Sequence, residues 1–227
     1  MSTPQPERPL AGPHGPEQRL GRFDTTERAL HWANAALFGV LLVTAAILYV
    51  GPLAAWVGRR GLVRQTHVVA GLALPFPLLA AWLSPRRAAL RADWRALARW
   101  DAADRKWLRS PRRARIRMGK FHPGQKLNAA FTLGALGSLL ATGSVMHWFD
   151  RFPDHWRTGA TFVHDWTAIV ITMVVAGHIW MALSDRDALR AMVRGWVPAE
   201  WARHHRPKWF EAETGEPAQA VPDHETV

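Results

Sequence analysis

The chain has 227 residues, 48% of them hydrophobic and 21% charged, with a formal net charge of +11 and no cysteine. Without cysteine there is no disulfide framework, no haem attached through a C-x-x-C-H motif and no cysteine-ligated iron–sulfur cluster. The basic residues are confined to particular connections and no nucleic-acid motif accompanies them. Anionic lipid headgroups, not nucleic acid, are therefore the expected counterpart.

Residues 1–22 are rich in Pro and Gly and lack the apolar run of a signal peptide, so a disordered arm is expected. Residues 29–50 follow without a charged side chain, long enough to cross a bilayer as a helix. Residues 66–83 form a second apolar span, which Pro75 and Pro77 should kink. A connection over 84–126 comes next, within which Trp94–Trp107 could form a short amphipathic helix lying on the membrane face. Residues 127–148 make a third uncharged span. Residues 162–183 make a fourth, carrying only Asp165 near its start. The tail over 211–227 is acidic and expected to be disordered. The fold class is thus all-α: a four-helix transmembrane bundle over residues 23–210, flanked by two polar ends.

Charge orients the bundle. The stretch from Arg86 to Lys126 holds 14 Lys/Arg against three acids, a surplus as large as that of the whole chain. With four spans, this connection and both termini share one side, which carries 24 of the 29 basic residues. The remaining five are Arg59, Arg60, Arg64, Arg151 and Arg157. The positive-inside rule then places both termini in the cytoplasm. Trp32, Trp56, Trp82, Trp148 and Trp180 fall near span ends, as an aromatic belt requires.

Four histidines lie on three of these spans. His164 and His178 share the fourth, fourteen residues apart. That spacing climbs ~21 Å and returns to nearly the same helix face. His31 opens the first span and lies at the inner depth with His178; His67 opens the second and lies at the outer depth with His164. Each pair joins two helices, the arrangement for two non-covalent b haems with bis-histidine ligation. Iron so held has no open position for oxygen, so electron transfer is the expected role. Gly71, four residues after His67, leaves room for a flat porphyrin. Histidine is scarce in membranes unless functional, although a single one can be a packing residue. His147 ends a span with no partner at its depth and reads as interfacial. Asp165 reads as a solvated interfacial acid.

The segments Arg28-Ala-Leu-His31-Trp32, Arg64-Gln-Thr-His67 with Gly71, and Gly119-Lys-Phe-His-Pro-Gly-Gln-Lys126 carry a family resemblance. So do His178-Ile-Trp-Met-Ala182 and Trp201-Ala-Arg-His-His-Arg-Pro-Lys-Trp209. The chain resembles the gamma subunit of respiratory formate dehydrogenase, a di-haem cytochrome b of the bacterial inner membrane. The resemblance covers roughly residues 22–213. It implies the same four haem ligands and a quinone site beside the inner haem, at His122, Gly124 and Gln125 next to His178. Asn is usual in the family where His122 stands; both can hydrogen-bond a quinone carbonyl, but only His also titrates near neutral pH. A purely local account also exists: Gly124 as helix-entry geometry and Gln125 as a cap contact. The implied partners are an iron–sulfur beta subunit and a molybdenum or tungsten catalytic alpha subunit that oxidises formate. Electrons would pass through outer and inner haem to quinone. Two other readings stay open: the cytochrome b of a hydrogenase or other oxidoreductase, and a redox-inert membrane anchor.

Overall fold

A computed structural model describes residues 18–85, 87–110 and 118–218. The arm before residue 18, the tail beyond 218 and part of the basic connection lie outside the described residues. The chain begins with a short strand, β1 (Arg19–Gly21), and enters helix α1 (Thr25–Tyr49). Asp24 caps α1: its carboxylate accepts from the Glu27 backbone N–H at 2.7 Å, and Glu27 accepts from that of Asp24 at 2.7 Å. This box satisfies two otherwise orphaned donors and starts the helix earlier than its apolar run. A short helix, α2 (Gly51–Val57), closes on Gly58 at φ 65°.

The second span is two helices in line, α3 (Arg60–Ala73) and α4 (Pro75–Leu83). Pro75 has no N–H for the Gly71 carbonyl, and the Leu74 N–H turns to it instead at 3.3 Å. The kink expected from Pro75 and Pro77 falls there. The basic connection carries α5 (Arg87–Ala98) and α6 (Ala102–Arg109), where a single helix over Trp94–Trp107 was expected. The break has a local cause. Asp101 is extended (φ −94°, ψ 179°) and caps α6 reciprocally with Asp104, so no helix can run through it.

The third span is α7 (Pro123–His147), and after a short turn the fourth is α8 (Asp154–Ser184). Four helical stretches, Thr25–Tyr49, Arg60–Leu83, Pro123–His147 and Asp154–Ser184, are long and apolar enough to cross a membrane. Their outer faces leave Val43, Phe76, Phe162, Met173 and Trp180 exposed. Such surface is at home in lipid.

After α8 come α9 (Arg186–Arg194), strand β2 (Trp196–Pro198), α10 (Ala199–His205) and α11 (Pro207–Thr214). β1 pairs antiparallel with β2, Leu20 opposite Val197. The ribbon and the C-terminal helices enclose a small core of Ala191, Val197, Trp201, Ala202, Trp209 and Phe210, against which Leu20, Phe23 and Ala218 pack. Leu20 and Ala218, which pack against that core, lie just outside the expected 23–210. Gly195, at φ 89°, turns the chain between α9 and β2, and its carbonyl accepts from Arg22 at 2.8 Å. A Cβ there would lie 2.8 Å from the Phe23 carbonyl oxygen, so only glycine fits.

This base also gathers the basic connection. The Arg22 guanidinium donates to the Lys120 carbonyl at 3.2 Å, the Lys208 N–H to the Met118 carbonyl at 3.1 Å, and Lys208 Nζ pairs with Asp101 at 2.9 Å. Both described ends of the chain and the connection between the second and third spans thus meet at one end of the bundle.

Candidate functional site

The four span histidines come together as two pairs. At the end nearer the base, the rings of His31 on α1 and His178 on α8 have centroids 6.3 Å apart and planes at 58°. Farther along, His67 on α3 and His164 on α8 have centroids 6.4 Å apart and planes at 67°. Imidazoles that bind one metal ion from opposite sides, with metal–nitrogen bonds of about 2 Å and a ring radius of about 1.2 Å, have centroids roughly 6–6.5 Å apart. Both pairs have that separation. Among the described residues no three His, Asp or Glu side chains cluster as a metal cage. Iron in a porphyrin, which brings its own nitrogen donors, would need no more than such a pair.

The near pair is set by the base. α8 runs into α9, whose first turn is capped by the Asp185 carboxylate accepting from Asp187 and Ala188 at 3.1 and 2.9 Å. The last turn of α9 then holds the start of α1: Arg28 donates to the Val193 carbonyl at 2.8 Å, and Trp32 Nε1 to that of Met192 at 3.2 Å. His31 lies between Arg28 and the body of α1, so these bonds fix where its ring meets His178.

The far pair is held by hydroxyls. Thr44 Oγ1 on α1 lies 2.8 Å from His67 Nδ1, and Thr142 Oγ1 on α7 lies 3.0 Å from His164 Nδ1, with the Leu41 and Leu139 backbones also hydrogen-bonded to these rings. Next to Thr142, Gly143 lets α8 approach: a Cβ there would lie 3.3 Å from His164 Cε1. Gly71 is different. Among the described residues a Cβ there would meet only Leu41, at 3.8 Å, so no described side chain demands glycine and a flat ligand could lie against it. Sequence reasoning missed Thr44, Thr142 and Gly143; a hydroxyl inside an apolar run was the available signal.

His122, Gly124 and Gln125 also come together, around the start of α7. His122 Nδ1 accepts from the Gly124 N–H at 2.9 Å, and Gln125 Oε1 accepts from the His122 N–H at 2.9 Å. The trio is therefore a capping box with histidine as the cap. Trp107 meets the His122 ring edge-on, centroids 4.8 Å apart. Since Nδ1 accepts, the neutral ring carries its proton on Nε2, for which no acceptor is seen among the described residues. Burial holds His122 below its ordinary pKa; the Arg206 charge pushes the same way and Asp104 opposes. Among the described residues no hydrogen bond or ring contact joins this trio to His178.

A family profile described as prokaryotic cytochrome b561 matches residues 22–195. The chain is 26% identical over 218 residues to the formate dehydrogenase cytochrome b556 subunit of Haemophilus influenzae, covering 87% of this chain and 84% of that one. It is 25% identical over 198 residues to the formate dehydrogenase cytochrome b556(fdo) subunit of Escherichia coli, covering 83% and 90%. A shorter match, 25% over 96 residues, reaches the nitrate-inducible formate dehydrogenase cytochrome b556 subunit of Escherichia coli and covers 41% of this chain.

Proposed function

The chain belongs to the prokaryotic cytochrome b561 family, and on that premise we propose that it is the membrane cytochrome b subunit of a formate dehydrogenase, holding two b haems and reducing quinone. The family implies haem b, and the relatives are named as cytochrome subunits of formate dehydrogenase. The observation that carries the count of two is the presence of two imidazole pairs with centroids 6.3 and 6.4 Å apart, on opposite stretches of α8.

Bound haem would supply a one-electron relay at each pair. His67 and His164 would hold the outer one and His31 and His178 the inner one. Haem held by two histidines would have no position for oxygen, so electron transfer is the chemistry it would supply. An iron–sulfur subunit, itself fed by a molybdenum or tungsten subunit that oxidises formate, would deliver electrons on the outer side. At the inner side His122 would donate a hydrogen bond from Nε2 to a quinone carbonyl, with the Gly124 N–H holding its ring and Gln125 its backbone N–H through the capping box. Quinone protons would then come from the cytoplasm. What supports the quinone assignment is the family resemblance of Gly119–Lys126 and the Nε2 donor on His122. What supports the orientation is the gathering of the basic segments at one end.

A pyridine haemochrome assay on the purified chain should find about two haems per chain, extractable by acidic acetone because no cysteine binds them. His67→Ala should lose one haem and keep the other. A wild-type value near zero would leave the redox-inert anchor instead. Co-purification of a formate-oxidising subunit, as opposed to a hydrogenase, decides the enzyme served.

A further inference from the structure

The two histidine pairs differ in what holds their rings. Thr44 has the Val40 carbonyl within 2.7 Å of its hydroxyl, and Thr142 has that of Ser138 at 2.7 Å. A hydroxyl has one proton to give. Given to the carbonyl of its own helix, that proton leaves Oγ1 as an acceptor toward histidine. Nδ1 of His67 and of His164 then carries the ring proton, and Nε2 of each carries the lone pair. Both far rings are thereby locked in the tautomer that ligates through Nε2. Among the described residues no hydrogen bond reaches a ring nitrogen of His31 or His178.

This difference has an electronic consequence. An imidazole that donates from Nδ1 to a good acceptor becomes a more basic ligand at Nε2. A more basic ligand pair favours ferric over ferrous iron, and so lowers the reduction potential of the site. We propose that Thr44 and Thr142 are positioning residues for the His67–His164 pair, and that their hydroxyls hold the far haem site at a lower potential than the near one. The inference rests on the di-haem reading above. Haem bound at the two pairs would then have a downhill order from far to near, while His67 and His164 keep their ring protons on Nδ1. In that reading an iron–sulfur partner would supply the electron and quinone would remove it.

Potentiometric titration of the full haem-loaded chain, followed by visible absorption, tests this. Valine has the shape of threonine without its hydroxyl, and serine restores the hydroxyl alone. In Thr44→Val and in Thr142→Val, one midpoint should shift upward while the other stays. Thr44→Ser and Thr142→Ser should return it toward wild type. A His178→Ala background, which removes the near haem, assigns the shifting midpoint to the far site. Loss of the far haem in a valine variant that the matching serine variant retains also supports positioning by the hydroxyl. Two bound haems with both midpoints unmoved by either valine would overturn this inference and leave the di-haem reading intact. So would a shift confined to the near site, or serine variants that behave as the valine ones do. A wild-type chain without haem would remove both.

Discussion

His122 shows how one side chain serves both folding and chemistry. As the cap of α7 it is useful only with Nδ1 unprotonated, because a protonated ring turns that acceptor into a donor facing the Gly124 N–H. Its pKa in the fold is lowered from the ordinary value near 6.5, chiefly by burial. The sign follows. A group whose folded pKa is depressed contributes stability that is complete above the unfolded value and is lost as pH falls through the folded one. Thermal unfolding in detergent should therefore show wild type losing stability below about pH 6.5. His122→Asn, which caps as well without titrating in that range, should lack this component of the loss. His122→Ala should cost about 1 kcal/mol at neutral pH. If His122 also binds quinone, the Asn variant should retain quinone reduction with a flattened acid limb. An Ala variant with unimpaired quinone turnover would leave His122 as a cap alone.

At the scale of elements, the three acids of the basic connection each tie a helix to a neighbour. Asp93 on α5 pairs with Lys120, Asp104 on α6 with Lys126 of α7 at 2.7 Å, and Asp101 with Lys208 of α11 at 2.9 Å. Asp101 is held at a pKa of about 2, first by the Asp104 backbone N–H and then by Lys208. It is too exposed for that shift to measure stability. The Asp104–Lys126 pair is different, with side chains only 8% and 10% exposed. Lys126→Met should strand the Asp104 carboxylate and cost about 3 kcal/mol, seen as a lowered Tm of the detergent-solubilised protein. Asp104→Leu in the same chain should recover most of that loss. No recovery would show that the lost Asp101 N–H to Asp104 bond of the α6 cap, or the 2.8 Å bond from Lys126 to the Arg99 carbonyl, outweighs the ion pair.

For the whole molecule, the gathering of β1, α5, α6 and α9–α11 at one end turns a statistical rule of charge into a geometric one. These segments cannot be divided between compartments without breaking the β1–β2 ribbon and the Arg22–Lys120 bond. Reporter fusions at Asp104 should therefore report the cytoplasm, and fusions at Gly58 and Pro153 the outer compartment. The reverse pattern would exchange the inner and outer roles of the two histidine pairs while leaving the pairs themselves unchanged.

The sequence by itself determined the four spans, the kink at Pro75 and which histidines share a depth, because hydropathy, proline chemistry and helix rise act along one helix at a time. It did not show the β1–β2 ribbon, the small core around Val197 and Phe210, or the break at Asp101. Two three-residue strands far apart in the chain carry no local signal, and polar tails conceal a core built from a few aromatic side chains. Tertiary structure alone decided which groups reach the histidines. Thr44 and Thr142 lie 23 and 22 residues from the rings they touch, and Arg28 and Trp32 find their acceptors some 160 residues away on α9. Such contacts depend on how helices pack side by side, and that is set by the summed surfaces of all of them, not by the composition of any one.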